Sequence, residues 1–344
     1  MGVSISAQLV SSATGLTIGN IAVDGRAFVA PLSGVTDVGM RRAAQSFGAS
    51  LVVSEMVAAD AYVTADEEAR LRAEGGGIAI HVVQIAGRTP DTLAEAARLA
   101  EASGARIIDI NMGCPAKRVV GGYAGSWLMR EPDLATALVR AVVAAVRVPV
   151  TVKMRLGWDD ASRNAPVLAR RVECEGAAMV TVHGRTRAQF YKGVADWAAI
   201  RAVREAIEIP LVANGDCTSR ADARRMLQES GADAVMIGRA AVGRPWLVGE
   251  IAASLRGDVS VPPSGARRLD AALAHYEALL SGLGVETGIR HARKHLVAYA
   301  RCAIEDGFAV DEGVPQRLAT GENVGEIRAL LARLWSEPTM LAAA

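Results

Sequence analysis

The chain has 344 residues, of which 51% are hydrophobic and 4% aromatic, and its formal charge at neutral pH is +1. That length buries a substantial core and admits one α/β barrel with an appendage as readily as two ordinary domains. Balanced charge gives no bulk attraction to nucleic acid or membrane, and four scattered cysteines (Cys114, Cys174, Cys217, Cys302) without a C-x-x-C pair argue against a disulfide framework or a metal site.

The cysteine usage suits a reducing, cytoplasmic setting. No basic n-region precedes an apolar core, so no signal peptide is expected. Met1-Gly2 with Ser6 fits the short N-myristoylation pattern. The longest apolar stretch, 134–152, carries Arg140, Arg147 and Pro149, so it reads as helix, turn and strand rather than a membrane span.

Leu16-Thr17-Ile18 and Ile21-Ala22-Val23 flank Gly19-Asn20, the signal of a tight hairpin and a small lid at the start of the chain. Strands and helices then alternate. Strands are predicted at 27–30, 51–53, 78–84, 106–110, 148–154, 178–182, 210–213 and 234–237. Helices are predicted at 36–47, near 65–73, and at 90–102, 132–146, 165–175, 197–206, 220–229 and 245–254. Eight short, near-continuous Val/Ile/Leu/Ala strands alternating with helices over roughly 230 residues give the count of a (β/α)8 TIM barrel. A doubly wound sheet would need G-x-G-x-x-G after an early strand, and none is present. Pro262-Pro263-Ser264-Gly265 reads as a linker, and the pattern beyond it is helical only. The expected division is therefore a barrel over 1–257 and an all-helical domain over 258–344.

A barrel's active site lies where its strands end. Here those ends are Pro31-Leu32-Ser33-Gly34, Ser54-Glu55, Gln84, Asn111 with Cys114, Lys153 with Arg155, His183-Gly184-Arg185, Asn214-Gly215-Asp216 and Gly238-Arg239. Every end is polar or glycine-rich, and all converge on one mouth. The glycines after the last two strands, Gly215 and Gly238, with Arg239 beside them, suit the usual barrel phosphate corner. That implies a phosphate-bearing cofactor across the mouth, with Lys153 placed to stabilise negative charge on a reduced ring system. Asp109-Ile-Asn-Met-Gly-Cys-Pro115 ends a strand in residues that cannot continue it, so the Cys114 thiol is presented on a loop.

That block, with Ser54-Glu-Met56, His183-Gly-Arg-Thr186, Asn214-Gly-Asp216, Ala234-Val-Met-Ile-Gly-Arg239 and Arg293-Lys-His295, resembles the tRNA-dihydrouridine synthases, the bacterial B-type branch most of all. The resemblance runs over nearly the whole chain. It implies FMN at the mouth and electrons from NADPH. By resemblance Pro31, Leu32, Ser33, Gln84, Lys153, His183, Asn214, Gly215, Asp216, Gly238 and Arg239 contact FMN, Asn111 holds the target uracil and Cys114 donates a proton. The B-type likeness points to uridines of the tRNA D-loop, reduced at C5=C6 to 5,6-dihydrouridine. Two departures stand out: Pro-Leu-Ser where the family usually has Pro-Met-Ala, and Trp127 after Gly125-Ser126 where a small residue is common. The chemistry fits independently. Hydride at C6 builds enolate character at C5, and an ordinary thiol, with a pKa of about 8.5, is mostly protonated at neutral pH and can protonate C5.

In the helical tail, Ile289, Ala292, Leu296, Tyr299 and Ala303 share one helix face, and Arg290, Arg293, Lys294 and Arg301 form an adjacent stripe beside His291 and His295. Residues 257–344 carry nine Lys/Arg against eleven Asp/Glu, so any RNA footprint there is a local patch; Arg290, Arg293 and Lys294 are its candidate contacts. A monomer is expected. Two other readings stand beside the synthase: an FMN oxidoreductase of a free pyrimidine or other small molecule, and a non-catalytic RNA-binding regulator. Cys174 and Cys302 read as small core residues, and Cys217 as packing near the phosphate corner.

Overall fold

The computed structural model of the chain describes residues 15–335, and the Met1-Gly2/Ser6 pattern lies outside them. The chain opens with an antiparallel hairpin, β1 (Gly15–Ile18) and β2 (Ile21–Asp24), turned at Gly19 with φ +59°. Eight parallel strands then close into a barrel: β3 (Ala27–Val29), β4 (Leu51–Ala58), β5 (His81–Ala86), β6 (Ile107–Met112), β7 (Val150–Arg155), β8 (Met179–His183), β9 (Leu211–Asn214) and β10 (Ala234–Ile237). They follow chain order round the barrel, and β10 closes it on β3. This is the expected TIM barrel.

Around it run α1 (Val38–Ser46), α2 (Ala59–Val63), α3 (Glu67–Ala73), α4 (Pro90–Ala102), α5 (Lys117–Gly121), α6 (Pro132–Ala145), α7 (Ala165–Cys174), α8 (Arg201–Arg204), α9 (Arg220–Ser230) and α10 (Trp246–Arg256). Proline at the first turn starts α4, α6 and α7, where its missing N–H costs nothing. The main core lies between these helices and the outward side chains of the strands, such as Val83, Ile108, Val152 and Val180.

Four details differ from the sequence reading. The hairpin is not a lid on the mouth. Ile18, Ile21 and Val23 pack with Phe28, Leu51, Val82, Ile107, Met179, Val212 and Ala234, residues near the starts of the barrel strands, so the hairpin seals the floor. β4 runs on to Ala58 through a register shift between Val53 and Met56, which puts Ser54 and Glu55 inside the strand. The predicted helix at 197–206 is a short 3-10 turn followed by α8. Cys174 is exposed: the buried face of α7 is Ala165, Leu168, Ala169 and Val172, and the last residue lies off it.

The tail is helical, as expected: α11 (Gly265–Leu283), α12 (Val285–Glu305), α13 (Val314–Thr320) and α14 (Val324–Ala332). Ser264 caps α11, its hydroxyl accepting from the Arg267 N–H at 3.4 Å. Ile289, Ala292, Leu296, Tyr299 and Ala303 are all buried, in a second core with Tyr276, Leu318, Leu330, Trp246 and Trp335. The tail docks closely on α1. A Cβ at Gly39 would stand 2.8 Å from His275 and 3.0 Å from Ala278.

Polar groups complete that joint. Asp37 caps α1 through the Met40 N–H at 3.1 Å. His275 Nε2 donates to its other carboxylate oxygen at 3.1 Å, and His295 Nε2 lies 3.4 Å from the same atom. The Tyr299 hydroxyl and His275 Nδ1 share a hydrogen bond at 3.0 Å. Burial opposes ionisation of Asp37, but the two histidines outweigh it and hold the carboxyl well below its ordinary range. His295 is thus not beside an outward stripe. Its spacing from Ala292 and Tyr299 puts it on the buried face of α12. Among the described residues no helix is long and apolar enough to cross a membrane.

Candidate active site

Register brings the polar strand ends together. Gln84 lies opposite Asp109, Asp109 opposite Thr151, and Asn111 opposite Lys153. The Thr151 hydroxyl and Gln84 Nε2 donate to the two oxygens of buried Asp109, each at 2.6 Å. Burial raises the Asp109 carboxyl, and these two donors oppose the rise. Asn111 Nδ2 donates to Gln84 Oε1 at 2.8 Å, so one hydrogen-bond chain ties β5, β6 and β7 just below the mouth.

The same Asn111 shapes the cysteine loop. Its side-chain oxygen accepts from the N–H groups of Gly113 at 3.1 Å and Cys114 at 2.9 Å, which bends the chain out of β6. The Cys114 carbonyl accepts from the N–H of Ser126 at 3.0 Å and its hydroxyl at 2.9 Å. Gly125 makes that return possible. It has φ +60°, and a Cβ there would lie 2.9 Å from the Cys114 carbonyl oxygen. Arg155 fastens the neighbouring loops, donating to the carbonyls of Gly113 at 2.7 Å and of Thr186 and Phe190 at 3.0 Å each. The Cys114 side chain is half-buried at the cavity wall.

Across the mouth, Lys153 Nζ donates to Asn214 Oδ1 at 3.0 Å, and Asn214 Nδ2 donates to the Met236 carbonyl at 2.8 Å. Burial, with Arg155 nearby, lowers the Lys153 ammonium to about 8. Burial and the surrounding cations hold His183 well below its ordinary range, so its ring is neutral. Arg185 Nη1 lies 3.3 Å from His183 Nε2, which casts that nitrogen as acceptor. Asp216 is engaged from three sides: Arg185 by both guanidinium nitrogens at 2.9 and 2.6 Å, Arg239 at 3.2 Å and the Ala195 N–H at 2.9 Å. Gly215 has φ +119°, and a Cβ there would meet Ala195 at 2.8 Å and His183 at 2.9 Å. A half-buried cation, a neutral imidazole and a glycine cradle face one open cavity of about 990 Å³. That is the size and donor set of a cofactor site for an anionic, ring-bearing group.

Pro31, Leu32, Ser33, Gln84, Asn111, Cys114, Lys153, His183, Asn214, Gly215, Asp216, Gly238 and Arg239 all line this cavity. Arg290, Arg293 and Lys294 do not. Lys294 lines a separate groove with Gly34, Asp37, Glu55 and His291, where the tail meets the barrel. Arg293 lies 3.7 Å from Glu322. Arg290 and Arg301 are exposed and carry no ion pair among the described residues. The cavity also gains Met56, from the Ser54-Glu-Met56 block but given no role by the sequence, and Phe190 and Tyr191, which no motif includes. Tyr191 lies on the loop after β8, within reach of Arg155 and Arg239 (5.7 and 5.2 Å to the ring centre). The only signal was two aromatic residues side by side in a chain poor in them.

The family model for dihydrouridine synthase matches residues 28–323 of the chain. A "Probable tRNA-dihydrouridine synthase" of Rhizobium leguminosarum bv. phaseoli is 53% identical over 279 residues, covering 81% of this chain and 86% of that protein. "tRNA-dihydrouridine synthase B" of Xanthomonas axonopodis pv. citri is 48% identical over 288 residues, covering 83% and 87%. Among solved structures, morphinone reductase in complex with tetrahydroNAD aligns with a TM-score of 0.51 at 17% identity, over 74% of this chain and 93% of that one. Histamine dehydrogenase from Rhizobium sp. 4-9 aligns with 0.55 at 14%, over 71% and 48%. These two share the barrel fold with the chain.

Proposed function

The chain belongs to the dihydrouridine synthase family, and on that premise we propose that it reduces the C5=C6 bond of D-loop uridines in tRNA to 5,6-dihydrouridine, with FMN in the barrel mouth and NADPH as reductant. The observation that carries the reading is one cavity holding the Cys114 thiol on one wall and the Lys153 ammonium and glycine cradle on the other. FMN is held by Pro31, Leu32, Ser33, Gln84, Lys153, His183, Asn214, Gly215, Asp216, Gly238 and Arg239. Asp216 contributes backbone, since its carboxylate is taken up by Arg185, Arg239 and Ala195.

When bound there, FMN would supply hydride chemistry toward C6 of the uracil, with NADPH as its reductant. The protein's residues do the rest. A uridine in a stack cannot reach the cavity, so the base enters unstacked. Asn111 faces it. Cys114 Sγ holds the proton and gives it to C5, where negative charge builds. Lys153 lies one strand away, opposite Asn111 in register, and its positive charge stabilises the reduced ring system. The helical segment 258–344 serves as the tRNA-binding domain appended to a barrel of 1–257, with Arg290, Lys294 and, once freed from Glu322, Arg293 as phosphate contacts. The protein acts in the cytoplasm, as a monomer.

The test is direct. Purified protein is expected to be yellow with one FMN per chain, and to form dihydrouridine with NADPH on tRNA that lacks the modification. Colourless protein that takes up no added FMN refutes the reading. So does flavin-loaded protein that leaves such tRNA unchanged.

A further inference from the structure

A band of rings and guanidinium groups runs along the rim from the cavity wall to solvent. Phe190, on the cavity wall, lies 5.0 Å from the Arg187 guanidinium, which covers Trp158 at 4.5 Å. Arg130 covers Trp158 on one side at 5.0 Å and Trp127 on the other at 4.6 Å. Trp127 meets Tyr123 edge to face at 5.1 Å, and Tyr123 ends the band, 51% exposed. Three loops supply it, those after β6, β7 and β8. The first is the loop whose Ser126 is bonded to the Cys114 carbonyl.

Two features set the band apart from ordinary packing. Its arginines have no carboxylate partner among the described residues, nor have Lys117 and Arg118 on the same loop as Cys114. The edge beside the thiol is therefore positive. Its two ends, Tyr123 (φ +58°) and Phe190 (φ +51°), adopt the left-handed backbone region that bulky residues rarely occupy. An exposed ring in a positive field beside a site that must take in an unstacked base offers a surface for another base.

Resting on the function proposed above, we propose that this band, ending in Tyr123 and Trp127, stacks an unpaired nucleobase next to the uridine that enters the cavity. Stacking replaces interactions the RNA gives up when the target base leaves its stack. Because every base has a π-face, the band selects for a single-stranded neighbour rather than for its identity.

The test compares wild type, Tyr123→Ala and Tyr123→Phe on tRNA and on a tRNA carrying an abasic residue beside the target uridine. Tyr123→Ala is expected to raise KM and Kd for intact tRNA roughly 5- to 150-fold. Tyr123→Phe should restore wild-type values, and the Ala penalty should vanish on the abasic RNA. Tyr123 is exposed, so the variants are expected to fold, with flavin content as the check. Wild-type KM and Kd in Tyr123→Ala overturn the proposal, as does a penalty that persists on abasic RNA. Wild-type protein that forms no dihydrouridine fails the functional reading instead; the Kd comparison still decides the band.

Discussion

Lys153 is where stability and activity should part. Its ammonium is lowered from an ordinary 10.5 to about 8, which corresponds to roughly 3 kcal/mol against the charged form. The mouth is open, and water reaching the ammonium reduces that figure, so about 1–3 kcal/mol is expected from removing the charge. Lys153→Met keeps the length and volume of the side chain, and cavity water can replace the donor that Asn214 loses. The flavin-free variant should therefore be more stable than wild type at pH 7, while binding FMN more weakly or being reduced more slowly. The pH dependence has a definite sign. Between about 8 and 10.5 the unfolded chain still holds the lysine proton and the folded chain has lost it, so wild-type stability rises with pH in that window. The advantage of the variant should be full below pH 8 and gone near 10.5. Urea unfolding of both proteins at pH 7 and 10 measures this. A Lys153→Met protein less stable at pH 7 would show that the mouth holds this charge at a net gain, and the reasoning would be wrong.

Cys114→Ala should retain FMN, still be reduced by NADPH, and form dihydrouridine ~10²–10⁴-fold more slowly; a wild-type rate would make the thiol a packing residue. Gly125→Val should destabilise the protein and slow modification, because a β-branched residue at φ +60° is strained and its Cβ meets the Cys114 carbonyl; thermal melts and dihydrouridine assays report both. Arg290→Ala with Arg301→Ala should weaken tRNA binding, and removing each arginine–phosphate pair should flatten the log–log salt slope by about 0.7–0.9. Titrations at several salt concentrations check this, and an unchanged slope makes these arginines a solvated face.

The barrel was legible because buried parallel strands are short apolar runs cut by glycine and proline, a local signal. Strand 234–237 and helix 90–102 were placed residue for residue. The polar strand ends were legible for the same reason, and topology then brought most of them to one cavity, while Gly34 and Glu55 line the separate groove against the tail. What periodicity does not carry is the identity of distant partners. Asp37 caps α1 three residues away, which is local, but only the fold reveals His275, 238 residues away, on the same carboxylate. The hairpin was found, but which end of the barrel it closes depends on packing against the starts of seven other strands. Trp127 stood out as unusual; its part in a band across three loops depends on how those loops fold over one another.

The bonds of Asn111 have a consequence for which base the site can accept. An amide oxygen accepts two hydrogen bonds and its nitrogen donates two. Here both acceptances go to the turn that presents Cys114, and one donation goes to Gln84. A single N–H remains. In the proposed reaction Asn111 can therefore offer the pyrimidine a hydrogen but cannot take one: it can greet a carbonyl and has nothing for an imide N–H. Turned toward position 4, that N–H would meet oxygen in uracil but a competing amino group in cytosine. The residue that bends the backbone would then also tell the two bases apart, with the one valence the turn leaves over.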